Sequence, residues 1–141
     1  MATTTFSGVI QSGNGRSGST VGQVMMSAIV SVDLANASSA TPMKVGTTGA
    51  GKDFVLPKGC FVQSFKPTVT PDNATDRISI GSAADPDGLD TSVLLNSLAI
   101  EPCTGALSKA ALADDTTVTV SRVVGSTTGV QVFICTYAVP A

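Results

Sequence analysis

Along most of this chain short runs of alternating apolar and polar residues are separated by Gly, Pro, Asn and Asp. The stretch FVLPKGCFVQSFKPTVTPDNATDRISIGSAADPDG, residues 54–88, carries the pattern most plainly. It predicts a short strand at 54–56, a Pro-Lys-Gly turn and a strand over 60–70. A polar Pro-Asp-Asn turn, a strand over 77–81 and an Asp-Pro-Asp turn closed by Gly88 follow. Apolar runs of this length between turn-forming residues mark an antiparallel all-β domain. In the 60–70 strand Phe61, Phe65 and Val69 share a parity and are expected to face the core. Gln63 interrupts that face and Pro67 lacks a ladder donor, so an edge strand or a bulge is expected there.

The segment QVMMSAIVSV, residues 23–32, fits two templates. As a strand it sets Val24, Met26, Ala28, Val30 and Val32 on one face; as a helix it groups Val21, Val24, Met25, Ala28, Ile29 and Val32. Its β-branched content and the flanking Gly22 favour the strand. Residues 33–53 read as connection, with a short strand at 43–45, and residues 107–112 fit one helical turn. Residues 116–124 alternate, with Val118, Val120 and Val124 on one face. The sequence GSTTG at 125–129 then reads as a hairpin loop into a last strand, 130–139. That strand is apolar on both sides: Val130, Val132 and Ile134 on one, Phe133, Cys135, Tyr137 and Val139 on the other. Since a sandwich strand needs only one apolar side, its second side is expected to be covered by the chain's own arm or by another subunit.

Residues 1–22 are rich in Thr, Ser and Gly, with Phe6, Val9 and Ile10 as apolar anchors. A segment with so little packing surface needs something to hold it. A partner is the favoured support, and the arm's own domain the alternative. The expected organisation is therefore an extended arm at 1–22 and one β-sandwich domain at 23–141, a fitting size for a single domain.

Composition narrows the function. Of 141 residues only 13% are charged and 4% aromatic, with no His and no Trp. The formal net charge is −2, and the eight Lys and Arg residues are scattered singly from Arg16 to Arg122. Nucleic-acid binding thus lacks its electrostatic footprint. So little surface charge protects a monomer poorly, which suggests that neighbouring chains cover part of the surface. The N-terminus has neither the basic start nor the apolar run of a signal peptide, and the most apolar window, 21–32, is too short to span a bilayer. Cys60, Cys103 and Cys135 are odd in number and have no His to complete a zinc site. Buried free thiols are the expected state, with one disulfide as the alternative.

Four patterns invite a chemical reading. GTTGAGKD, residues 46–53, nearly spells a phosphate-binding loop, but Asp53 stands where a hydroxyl should bind magnesium, and Pro57 and Gly59 follow where a helix should open. Asp85, Asp87 and Asp90 could offer oxygen ligands to calcium, although their spacing is not that of an EF-hand and a Pro-started turn explains them. Asp114 and Asp115 read as solvated turn residues, and the sequons at Asn36 and Asn73 lie in a chain full of Ser and Thr. Without His, and with one Tyr and one Glu, no acid/base constellation emerges. No catalytic, metal-binding or cofactor-binding residue is predicted, and no enzyme.

The order LPKGCFVQSFKPTVT, then ISIGSAADPDG, then LADDTTVTVSRVVGSTTGVQVFICTYAV resembles small β-sandwich structural proteins of tailed-phage particles, over residues 54–139. Their common layout is a Pro-x-Gly turn with an apolar strand, a Gly-x-x-x-Asp-Pro-Asp-Gly loop and a C-terminal Thr/Val hairpin. Here these are residues 57–59, 81–88 and 116–139. The resemblance includes head decoration (cement) proteins. It implies a jelly-roll-like antiparallel β-sandwich that binds the major capsid protein on the capsid exterior, commonly as a homotrimer, and bridges capsid subunits by adhesion. Phe6, Val9 and Ile10 would anchor the arm, and Phe133 and Tyr137 would face a neighbouring subunit. Two alternatives stay open: another virion part, such as a tail, neck or fibre-attachment module, and a carbohydrate- or cell-surface-binding module. A sugar platform usually wants exposed Trp or Tyr.

Overall fold

The computed structural model describes residues 23–36, 40–68, 76–95, 98–125 and 128–140. Ten strands run in chain order: β1 (Gln23–Asp33), β2 (Thr41–Pro42), β3 (Lys44–Val45), β4 (Val55–Leu56), β5 (Phe61–Pro67), β6 (Arg77–Gly81), β7 (Asp90–Leu94), β8 (Thr116–Thr117), β9 (Thr119–Val124) and β10 (Val130–Pro140). Two 3-10 turns, Leu34–Asn36 and Ala106–Lys109, are the helical elements among the described residues. The second overlaps the single helical turn expected at 107–112, beginning one residue before it and ending at Lys109.

The strands form two four-stranded antiparallel sheets, β3-β1-β10-β5 and β2-β9-β6-β7, with β4 and β8 paired beside them. Leaving out the short side strands β3, β4 and β8 but keeping the equally short β2, the first strand pairs with the last (β1 with β10). The second pairs with the last but one (β2 with β9), and β5 with the bridge at Pro102. β6 and β7 close the series as neighbours. This is a two-stranded ribbon wrapped round a barrel-like core, the jelly-roll way of making a sandwich. The chain is an all-β antiparallel sandwich, as its alternation predicts.

The inward faces follow from register. Directly opposed residues of an antiparallel pair share a face. Val30 opposes Phe133, Ala28 opposes Cys135 and Cys135 opposes Phe65. Val30, Phe133, Cys135 and Phe65 are all buried in one cluster with Ile78, Ile80, Val118 and Val120 of the other side. Leu34, Met43, Leu56, Leu89, Leu95 and Leu112 belong to the same buried cluster. Phe54 meets Tyr137 edge-on, ring centroids 6.2 Å apart at 64°, a favourable arrangement of the two ring quadrupoles.

Three expectations are corrected. Residues 125–129 do not close a hairpin: β9 pairs with β2 and β6, while β10 pairs with β1 and β5. The connection crosses between sheets, because alternation shows which residues share a face but not which strand lies alongside. Phe61 and Phe65 do not share the core face, since the register shifts between Thr136 and Tyr137. After that shift Cys60, Val62 and Phe65 are buried, whereas Phe61 is half-buried and opposes Ala138. Val69 lies outside the described residues. The irregularity expected from Gln63 and Pro67 is present, and β5 is an edge strand of its sheet among the described residues. Lastly, Phe133 is fully buried and Tyr137 nearly so within this chain's own core. Their side chains face inward because β10 turns its larger apolar side to the opposing sheet, so they do not line the outer surface expected of them.

Candidate interaction surface

The opposite side of the β3-β1-β10-β5 sheet carries the second apolar face of β10. Met25, Ser27 and Ile29 of β1 lie there beside Val132, Ile134 and Thr136 of β10, with Phe61 and Lys66 of β5 next in line. Met25 and Ile29 are 51% and 52% exposed, whereas Val132 and Ile134 are half-buried by their neighbours. From Gln23 to Val32 β1 carries no charge at all. Solvated antiparallel faces normally set polar residues outward, so the presence of Met25, Ile29, Val132 and Ile134 beside Ser27, Thr136 and Lys66 is the departure that needs a cause.

One end of this face is covered from within. Gly49 N donates to Ser31 Oγ at 2.8 Å, drawing the Gly-rich loop at 46–51 over the Ser31 end and leaving Ser31 fully buried. A Cβ on Gly49, whose φ is +71°, would stand 3.2 Å from Val130 Cγ2 and 3.4 Å from Asp33. Glycine there allows both the left-handed backbone and the close approach. The loop is thus a cover for the sheet rather than a phosphate cradle: it leads into β4, not a helix, and Asp53 forms an ion pair with Lys44. The other end, around Met25 and Ile29, has no such cover among the described residues.

A second exposed apolar group flanks β5. Leu98 and Ile100 stand out from the chain, and Ile100, Pro102, Cys103 and Ser108 line a shallow groove with Val62, Gln63 and Ser64. The segment is tied to the edge by Cys103 N donating to Gln63 O at 2.8 Å and by the Ser64–Pro102 bridge.

The acidic residues lie apart from these surfaces in purpose. Asp85 O accepts from Ser82 N and Gly88 N at 2.8 and 3.1 Å, which makes 82–88 a closed turn. Desolvation, a hydrogen bond that the protonated Asp85 carboxyl donates to Asp87, and the like charge of Asp87 push the Asp85 carboxyl above the usual range. Asp90 Oδ1 accepts instead from Thr104 Oγ1 and Ser92 N. Among the described residues no group of three or more His, Cys, Asp or Glu converges as a metal site would require, and no helix is long and apolar enough to cross a membrane. Cys60 and Cys135 are buried, Cys103 is half-buried, and all three are free thiols.

Of the predicted contact residues, Phe6, Val9 and Ile10 lie outside the described residues, and Phe133 and Tyr137 are interior. Met25 and Ile29 are not among the predicted contact residues, although strand alternation alone sets them together on the side opposite Val24, Met26 and Ala28.

No family model matches the chain, and no curated protein matches it. Among solved structures, a chain of the "Cyanophage Pam1 capsid asymmetric unit" superposes with a TM-score of 0.54 at 16% identity, covering 94% of each chain. At that identity the likeness is one of fold: this chain shares its β-sandwich over nearly its whole length with a chain of a cyanophage capsid assembly.

Proposed function

We propose that this protein is a structural component of a phage virion, a head decoration protein that adheres to the capsid exterior and bridges subunits of the major capsid protein. The observation that carries the reading is the uncharged face of β1 and β10 around Met25, Ile29 and Ile134, a surface that gains from being covered. The fold shared with a chain of a cyanophage capsid asymmetric unit supports it, as does the resemblance of the 54–139 layout to phage decoration proteins. On this reading the chain works by contact area rather than catalysis. Many small apolar contacts repeated over a shell give avidity without any one strong site. The protein assembles as a homo-oligomer, a trimer, and the 1–22 arm adds Phe6, Val9 and Ile10 to the contact with the capsid.

Co-sedimentation with purified, expanded capsids tests this. The native chain should pellet with capsids, and Met25→Asp with Ile29→Asp should abolish pelleting while leaving the circular dichroism spectrum unchanged. Equal binding by native and double variant would remove this face from the function, and no binding by the native chain would overturn the decoration reading.

A further inference from the structure

β1 is paired along the whole of one side, where its residues from Gln23 to Asp33 meet β10. On the other side β3 pairs with Val30 and Ser31, and Gly46 N donates to Ile29 O at 2.9 Å. Among the described residues no strand lies along that second edge from Gln23 to Ala28. The two faces beside it are bare as well. Val24 and Met26 share the parity of Val30 and Val32, which are buried in the core, yet they are 51% and 44% exposed. Met25, on the outer face, is 51% exposed. An edge with no charge and no Pro is a template for another strand.

We propose that this edge is an interface with a second copy of the chain, in which two β1 strands pair antiparallel about a two-fold axis at Met25. Charge matching selects that occupant. From Gln23 to Val32 β1 is uncharged, and a charge carried into such an edge would lose water without gaining a partner. The other strand edges of the molecule are unlike it. β5 carries Lys66 and is bridged at Ser64 by Pro102, β2 contains Pro42, β3 contains Lys44, and β7 begins with Asp90. The edge that matches β1 is therefore β1 itself, and two chains of net charge −2 repel one another little.

The register follows from the phase of the existing ladder. Because Ile29 O faces the open edge, so do the backbone groups of Ser27, Met25 and Gln23. With the axis at Met25, the two Met25 residues oppose each other, Gln23 opposes the second copy's Ser27, and Val24 opposes the second copy's Met26. Gln23, Met25 and Ser27 then exchange main-chain hydrogen bonds with their opposites. An axis at Met26 would need Ile29 O, which Gly46 already holds. In the chosen register Val24 covers Met26 on one face and the Met25 pair meets on the other, so both bare faces are covered together. The edge is far shorter than the roughly 20–30 residues a side of a standard interface, so the pair forms weakly and reversibly. The inference concerns β1 alone and does not depend on the virion reading; copies already joined as a trimer would be linked by it trimer to trimer.

Measurements on the full-length protein test it. In sedimentation velocity the mass should double between about 1 µM and about 500 µM, as a small interface implies. Met25→Pro removes an amide that points away from β10, and should hold the mass at its dilute value with an unchanged circular dichroism spectrum. Should that variant unfold, Val24→Lys puts a charge at an exposed edge position and should have the same effect on mass. Register is read by mixing Val24→Cys chains with Met26→Cys chains under mild oxidation. Positions 24 and 26 form a non-hydrogen-bonded pair within disulfide reach, so the mixture should link them at least about tenfold faster than either variant links to itself. Peptide mapping distinguishes these links from the native cysteines. Hydrogen-exchange protection of the Gln23, Met25 and Ser27 amides should rise with protein concentration. A constant mass over that range, undiminished association in folded Met25→Pro or in Val24→Lys, or equal linking in mixed and single variants would overturn the proposal. So would edge amides protected equally at every concentration, which would mean that the edge is covered within one chain.

Discussion

Thr104 donates its hydroxyl hydrogen to Asp90 Oδ1 across 3.0 Å, and the same Oγ1 accepts from Thr91 N at 3.2 Å. Asp90 also receives Ser92 N at 3.3 Å, so one buried carboxylate pins the start of β7 to the segment that follows Pro102. Burial raises the Asp90 pKa above its ordinary value; the Ser92 and Thr104 hydrogen bonds oppose the rise and the Glu101 charge adds to it. The native state therefore holds this proton more tightly than the unfolded chain. The stabilising contribution of protonation is complete below the unfolded value and is lost as pH rises through the raised native value. Asp90→Asn keeps an acceptor oxygen for both donors without the charge. It should flatten the acid-side gain in urea midpoint between pH 4 and 7 and leave stability at pH 7 equal or higher. A variant less stable at pH 7 with an unchanged acid slope would refute this role.

Asp90→Ala removes the charged acceptor shared by Thr104 Oγ1 and Ser92 N and leaves Thr104 Oγ1 only its contact with Thr91 Oγ1 at 2.9 Å. A loss of about 1–3 kcal/mol is expected at pH 7, measured by the same urea titration, and the Asn variant should show none of it.

Gly105 packs against the Asp85–Gly88 turn: Leu107 N donates to Gly88 O at 2.7 Å, and a Cβ on Gly105 would sit 2.2 Å from that oxygen. The obstacle is backbone, which cannot swing aside as a side chain could. Gly105→Ala should cost about 3 kcal/mol through overpacking, seen as a lowered thermal midpoint. A cost within about 0.5 kcal/mol, the range of ordinary surface changes, would mean that the turn yields.

The two sides of the β1–β10 sheet should respond oppositely to truncation. Phe133→Ala empties a fully buried site and should cost about 3–5 kcal/mol. Ile29→Ser on the outer face should change stability by less than about 0.5 kcal/mol while reducing self-association in sedimentation velocity. A large stability loss for Ile29→Ser would show that this face is already packed within the monomer.

The thiols should be inert in the native state. Burial pushes Cys103 up to about 12 from 9.0, which lowers its thiolate fraction at pH 8 roughly a thousand-fold. Burial likewise raises Cys135 and Cys60. Maleimide labelling at pH 8 should be slow until urea unfolds the chain and then reach all three cysteines; rapid native labelling of Cys103 would contradict the burial.

Local pattern made much of this molecule readable. The strand at Gln23–Asp33 follows from β-branched content, and the edge character of β5 follows from Pro67 and Gln63. The two-sided apolar β10 marked a face in need of cover. What alternation cannot supply is which of two apolar sides looks inward. The pairing of residue 133 with 30 decides that for Phe133, and it is settled a hundred residues away in the sequence. Phe61 was misread for a related reason. A one-residue register shift opposite Thr136 and Tyr137 exchanges faces; Gln63 and Pro67 signal an irregularity in β5 but not the residue at which the faces exchange. The partner of β9 was hidden likewise, since a short loop between alternating strands fits a hairpin and a sheet crossing equally well.

The pairing of the first long strand with the last has a consequence for how the molecule comes into being. While a ribosome is still making it, β1 has no neighbour along the side that β10 will fill, because all eleven of its residues await the final strand. Assembly of that sheet is held back until the C-terminus emerges, and the contacts that complete it are among the most distant in sequence, the kind that make folding slow. During that wait the uncharged QVMMSAIVSV segment is bare along the whole edge that β10 will fill, which makes synthesis itself the interval of greatest exposure to aggregation.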